Sequence, residues 1–250
     1  MVGRVEEYLL QRIKAEGAIH ITLIDPEKVT SAQASRIAED SKVSGTSAVM
    51  IGGSTFVSQS HLDEVVEAIK CVEIPTILFP NNVTGISRCA DAIWFMSLLN
   101  SVDPYFLIGA QILGAPLVMK YGLEPISMGY VIVGEGGTAG IVGKAIPVPY
   151  DKPELAAAHA LAAQYLGMHF LYLEGGSGAK NPVPPEMIRA VKQCMEIPLI
   201  VGGGIRNHEQ ALAAASAGAD IIVTGNVVET GDSKGKISDI IAGIKASHSS

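Results

Sequence analysis

Eight short apolar runs rich in β-branched residues recur along the chain, at 19–24, 48–51, 76–79, 92–95, 128–133, 170–173, 199–201 and 221–223. They lack strict alternation, as parallel strands buried on both faces do. Between them the apolar positions fall into helical spacing at 31–43, 61–70, 153–166, 184–194 and 208–217. Eight strand signals alternating with helices in one chain predict a closed (β/α)8 barrel rather than an open sheet. Punctuation agrees with this reading: Pro153 and Glu154 open a helix that stops at Gly167, and Asn207 caps one that ends at Gly218.

Four segments depart from the repeat. Residues 84–89, between the third and fourth strands, are too few for a crossover helix and predict an irregular or single-turn connection. The amphipathic stretch 2–15 predicts an extra helix closing the barrel bottom, so one domain over 1–250 is expected. The glycine-rich stretch 134–150 reads as an excursion of the fifth strand-to-helix loop, either a plain surface loop or a substrate cover. The very apolar helix predicted at 104–119 suggests a subunit interface and hence a homo-oligomer, since so large an exposed stripe is unusual on a monomer.

Composition narrows the function. The chain of 250 residues is 48% hydrophobic with a mean hydropathy of +0.33, yet no apolar run approaches the roughly 20 residues a membrane span needs. The charged N-terminal stretch does not read as a signal peptide, which leads to the expectation of a cytoplasmic protein with at most peripheral membrane contact. A net charge of −7 and the absence of a basic cluster argue against nucleic-acid binding. Cys71, Cys89 and Cys194 show no metal-ligand or disulfide spacing. His61, His159, His169 and His208 show no paired ligand spacing either, and are expected to be structural.

Active sites of such barrels gather where the strands end. After the sixth strand come Tyr172, Leu173, Glu174, Gly175, Gly176, Ser177 and Gly178, after the seventh Gly202, Gly203 and Gly204, and after the eighth Thr224, Gly225 and Asn226. Glycines let a backbone approach an oxyanion closely and aim amides at it, so three such turns on neighbouring strands predict a phosphate site. A lone triple glycine would be no more than a tight turn. Asp25 ends the first strand and Ser54 follows the second; a carboxylate beside a hydroxyl suits Mg2+, though each residue equally serves as a helix or turn cap.

Taken together, LIDPEK at 23–28, IGGST at 51–55, YLEGGSGA at 172–179, GGGIR at 202–206 and TGN at 224–226 resemble the geranylgeranylglyceryl phosphate synthase family over nearly the whole chain. The segments FPNN, FMSLLNS and GGTAGIVGKAIPVPYDKPE resemble its group II branch, found in archaea and Bacteroidetes. The resemblance implies a modified TIM barrel with the third helix replaced by an irregular segment. It also implies Mg2+-dependent transfer of a geranylgeranyl group from its diphosphate to the C3 hydroxyl of sn-glycerol 1-phosphate, the first ether bond of archaeal membrane phospholipids.

On that resemblance Asp25 and Ser54 hold Mg2+, while Tyr172 to Gly178, Gly203, Gly204, Gly225 and Asn226 hold glycerol 1-phosphate. Glu174, with Tyr172 beside it on the inward face, is the candidate catalytic base, its alternative being a cap for the following turn. Residues 92–99 with Tyr105, Phe106 and Tyr130 are candidates for an apolar prenyl groove, the preferred chain length being left open. Two other readings remain: a phosphosugar isomerase, which needs neither the metal pair nor the groove, and a non-catalytic barrel that binds the phosphate without releasing pyrophosphate.

Overall fold

The computed structural model describes residues 2–53, 58–225 and 232–248. Its eight strands form a closed parallel barrel in chain order: β1 (Ile19–Ile24), β2 (Ala48–Ile51), β3 (Thr76–Leu78), β4 (Ala92–Leu98), β5 (Glu124–Ile132), β6 (Phe170–Glu174), β7 (Leu199–Gly202) and β8 (Ile221–Thr224). The ring closes through β8 beside β1, with Ile21 opposite Val223. The helices are α1 (Arg4–Glu16), α2 (Ser31–Ser44), α3 (Gln59–Lys70), α4 (Ala110–Tyr121), α5 (Gly137–Val142), α6 (Pro153–Tyr165), α7 (Pro185–Cys194), α8 (His208–Ser216) and α9 (Ser233–Ala246).

Strand alternation divides the core. Ile21, Met50, Ile77, Trp94, Met128 and Phe170 fill the barrel interior together with Val5 and Leu9 of α1. The odd-numbered neighbours on β5 and β6, Val131, Leu171 and Leu173, instead meet α6 and α7 through Ala160, Ala163 and Met187. Helix α1 plugs the bottom as the sequence predicts. The Glu124 carboxylate holds it there, accepting from the amides of Val5 and Glu6 at 2.8 Å each, where a helix N-terminus favours negative charge.

The β3–β4 connection is a single 3-10 turn, Val83–Gly85, in place of a helix, which bears out the expected modification of the TIM barrel. Both helix starts also form as read: Asn207 Oδ1 accepts from the amide of Gln210 at 3.0 Å, and Pro153 stands in the first turn of α6. Two boundaries differ. Strand β5 starts four residues before the apolar run because Glu124, Pro125, Ile126 and Ser127 pair with β4, a ladder that polar residues join at the barrel's lower rim. The predicted helix at 104–119 opens as a π turn over Tyr105–Gly109, whose first amide is held by Asp103 Oδ1 at 2.9 Å, before becoming α4. Ile108, Ile112, Leu113 and Met119 on this segment are exposed.

A buried polar network lies between β1 and the surrounding helices. His20 bridges Thr46 and Thr224, each hydroxyl 2.8 Å from a ring nitrogen, and Thr22 joins Ser41 at 2.9 Å. Burial lowers the His20 pKa from 6.5 to about 3. The folded state therefore excludes a proton that the unfolded chain takes up. This stabilisation is complete above pH 6.5 and is lost as pH falls toward 3, at up to about 1.4 kcal/mol per pH unit. In urea titrations His20→Gln, which keeps a donor and an acceptor but does not titrate, is expected to flatten the stability profile over that range. A slope identical to that of the unaltered protein would remove His20 as its source.

Candidate functional site

The upper rim carries two adjoining cavities. The smaller is lined by Tyr172, Ser177, Gly178, Gly203, Gly204 and Gly225, among others. The larger encloses about 1230 Å3 with its open mouth included, and is walled by apolar side chains of β4, of α4 and of the loop after β3. A trough open at its mouth with walls of this kind suits a long apolar ligand. Glu174, Ser177 and Gly225 border both.

Glu174 ends β6, pointing inward like Tyr172, and only 6% of its surface is exposed. Its Oε1 accepts the Gly176 amide at 2.7 Å, and the phenols of Tyr172 and Tyr130 face the same carboxylate and favour its charged form. Burial raises its pKa above the usual carboxyl value, against the lowering effect of those three groups. Burial also pushes both phenols well above their ordinary values, with the Glu174 charge adding to the effect, so they remain protonated donors rather than bases. Phe79 packs on this group, 5.7 Å from Tyr172 with the rings stacked and 5.4 Å from Tyr130 edge-on.

The phosphate-type turns adopt backbone that only glycine takes easily. Gly176, Gly178, Gly203 and Gly204 all have positive φ, between 74° and 104°. Within the run 172–178 the roles divide. The Leu173 side chain packs outward against the helices, the Gly175 amide bonds to the Gly202 carbonyl at 2.9 Å, and the Gly176 amide serves Glu174. Ser177 and Gly178 reach the small cavity.

Asp25 borders the larger cavity with Lys28, Gly52 and Gly53. Its Oδ1 accepts the Glu27 amide at 3.1 Å, and its Oδ2 lies 3.5 Å from the Lys28 ammonium. It thus both caps its turn and faces the cavity. A Cβ at Gly53 would sit 2.4 Å from Asp25 Oδ1, so the second strand's loop runs directly against this carboxylate. Ser54 and Asn226 lie outside the described residues. The described residues contain no cluster of three or more metal-ligating side chains. His61 pins the Asp25 loop, its Nε2 lying 2.9 Å from the Pro26 carbonyl and 3.1 Å from that of Val29.

Of the aromatic groove candidates, Phe106 and Tyr130 line the larger cavity, as do Trp94, Phe95, Met96 and Leu98 of β4. Tyr105 instead packs edge-on against Phe106 at 5.1 Å. The loop after β5 forms part of the same wall through Ala139 and Gly143, and at Gly137 it touches the backbone of Gly176. Sequence reasoning named Tyr130 for the groove alone. Its place beside Glu174 follows from the register that sets Tyr130 opposite Tyr172, which no local signal in the chain specifies.

The profile of the PcrB family matches residues 11–244. The chain belongs to the PcrB family. It is 57% identical over 230 residues to the geranylgeranylglyceryl phosphate synthase of Thermofilum pendens, covering 92% of this chain and 90% of that one. It is 52% identical to the same-named protein of Thermococcus gammatolerans, covering 98% of each. The crystal structure of (S)-3-O-geranylgeranylglyceryl phosphate synthase from Thermoplasma acidophilum, in complex with its substrate sn-glycerol-1-phosphate, superposes with a TM-score of 0.94 at 40% identity, covering 98% of this chain and all of that one. This PcrB chain therefore shares its barrel fold with that enzyme over nearly its whole length. No helix among its described residues is long and apolar enough to cross a membrane.

Proposed function

We propose that this protein is a prenyltransferase of the cytoplasm that joins the geranylgeranyl group of its diphosphate to the C3 oxygen of sn-glycerol 1-phosphate, releasing diphosphate. One observation carries the reading: Glu174 stands on the shared wall of a glycine-lined cavity fit for a phosphate and an apolar cavity fit for a prenyl chain. The close likeness to an enzyme crystallised with sn-glycerol-1-phosphate supports the acceptor.

The chemistry follows from the placement. The amides of the β6, β7 and β8 loops take the glycerol phosphate, leaving its C3 hydroxyl directed at Glu174. The bond between the allylic carbon and the diphosphate oxygen breaks, the glycerol oxygen bonds to that carbon, and Glu174 takes the hydroxyl proton. The protonated phenols of Tyr172 and Tyr130 face the carboxylate and favour its charged form. The apolar walls exclude water that would otherwise capture the allylic carbon.

Asp25 offers Mg2+ a hard oxygen donor on the wall of the larger cavity, and this ion takes its remaining ligands from waters and substrate phosphates. Asp25, with Ser54 as the second ligand that the family resemblance implies, would hold it, and the ion would there neutralise charge on the leaving diphosphate. Asp25→Asn is accordingly expected to weaken Mg2+ activation severalfold or more while glycerol 1-phosphate binds nearly as before. Rates measured against Mg2+ concentration check this, and an unchanged Mg2+ dependence would place the metal elsewhere. The reaction itself is tested by incubating the purified protein with glycerol 1-phosphate, Mg2+ and prenyl diphosphates of increasing length. Absence of an ether product at every length would defeat the proposal.

A further inference from the structure

We propose that Arg206 is a positioning residue for phosphate binding: its guanidinium clasps the β6 and β7 loops by their carbonyls and keeps those oxygens turned away from the anion. The proposal rests on the reading of the small cavity as a phosphate site. Arg206 borders that cavity, where an arginine is ordinarily assigned to pair with the phosphate itself. The structure gives its terminal nitrogens other partners. Nη1 donates to the carbonyls of Lys180 at 3.2 Å and Gly204 at 3.3 Å. Nη2 donates to the carbonyl of Gly178 at 3.3 Å and to that of Ala179. Three consecutive carbonyls of the β6 loop and one of the β7 loop thus converge on one cation.

The seam being clasped is tight. A Cβ on Gly204 would lie 2.7 Å from the backbone of Asn181 and Pro182, so the two loops meet backbone to backbone there. The far side of the β6 loop is held by Tyr150, whose hydroxyl donates to the Asn181 carbonyl at 3.2 Å. On the near side the Arg206 amide is fixed by Gln210 Oε1 at 2.8 Å. The carbonyl and amide of one peptide unit point in opposite directions, so fixing these four carbonyls fixes the amides of residues 179, 180, 181 and 205, and with them the course of both loops beside Gly178 and Gly204. It also gathers onto a positive charge four oxygens whose partial negative charge would repel a phosphate. Lysine cannot replace this arrangement, because its ammonium is a point charge that does not span two loops in one plane.

The test compares Arg206→Lys and Arg206→Met with the unaltered protein. Inorganic phosphate binding is measured by calorimetry, KM is measured separately for glycerol 1-phosphate and prenyl diphosphate, and melting temperature is recorded. Both variants are expected to bind phosphate about tenfold or more weakly, the weight of one charge-assisted hydrogen bond. KM for glycerol 1-phosphate should rise in step, while prenyl diphosphate KM and turnover at saturation stay near their original values. If the methionine variant does not fold, the lysine variant carries the comparison.

Three results would overturn the proposal. Phosphate affinity kept in Arg206→Lys would mean that charge alone matters and that the residue pairs with the phosphate directly. Unchanged affinity in both variants would remove Arg206 from the site. A parallel loss of both KM values, turnover and melting temperature would show a general structural role. The substrate reading fails separately: protein that binds phosphate but makes no ether from glycerol 1-phosphate refutes that assignment, while the phosphate titration still reads the effect of Arg206.

Discussion

Glu174→Gln is expected to lower turnover by about a hundredfold to ten-thousandfold, the usual cost of losing a general base, while glycerol 1-phosphate still binds. Glutamine keeps the shape of the side chain and an oxygen to accept the Gly176 amide, now 2.7 Å away. What it loses is the ability to take the C3 proton. The stability of the variant distinguishes this role from a structural one. Because burial raises the Glu174 pKa, holding its charged form costs folding free energy, and a neutral amide removes that cost. The melting temperature should stay level or rise, whereas a carboxylate needed to hold the turn would lower it.

The pH profile adds a second check on the same residue. A raised carboxyl pKa means that the active, ionised form is lost as pH falls through that raised value, so the rate of the unaltered enzyme has an acid limb above the ordinary carboxyl range. The limb should vanish in Glu174→Gln. Turnover and melting temperature on the purified variant decide the matter, and a stable variant with undiminished turnover removes Glu174 from the mechanism.

Much of this site is visible along the chain because a barrel converts strand ends into neighbours. Once the run 170–173 is read as the sixth strand, its two-residue period sends Tyr172 and Glu174 inward and Leu173 outward, as the buried layers show. The same rule brings Asp25 to the rim. It does not say who meets whom across the barrel. Tyr130 reaches Glu174 because its strand is in register with β6, a fact set by the whole ring of eight strands.

Loop conformation is harder still to read from sequence. Gly175 and Gly176 belong to a run that looks like an anion nest, yet their amides bond to Gly202 and Glu174. Arg206 stands two residues past the triple glycine, and nothing along the chain says that its guanidinium takes backbone carbonyls. Both outcomes depend on non-local contacts between loops. The early start of β5 has a related cause: Glu124, polar and so unlike a core strand residue, belongs to the lower rim, where its carboxylate caps α1.

Gly203→Val should cut glycerol 1-phosphate affinity by about tenfold to a hundredfold, equivalent to one or two amide bonds to a charged phosphate. Two penalties coincide at this position. The backbone φ of +85° is one that side chains with a Cβ rarely adopt, and β-branched ones least of all. A Cβ would also meet the Gly176 amide nitrogen at 2.7 Å and Glu174 Oε1 at 2.8 Å. Relief must come from moving the β6 loop, the carboxylate or the β7 turn, and each movement displaces a wall of the small cavity. Gly45→Val supplies the comparison: its φ is +101°, but a Cβ there has nothing within 4 Å. That variant carries the backbone strain without the collision and lies in the turn after α2. If strain alone mattered, both variants would lose stability and neither would lose affinity in proportion. The expected result is a loss of melting temperature in both, larger in Gly203→Val, with weaker calorimetric binding of glycerol 1-phosphate only in Gly203→Val. A folded Gly203→Val that binds glycerol 1-phosphate as tightly as the unaltered protein would put the phosphate site elsewhere on the barrel.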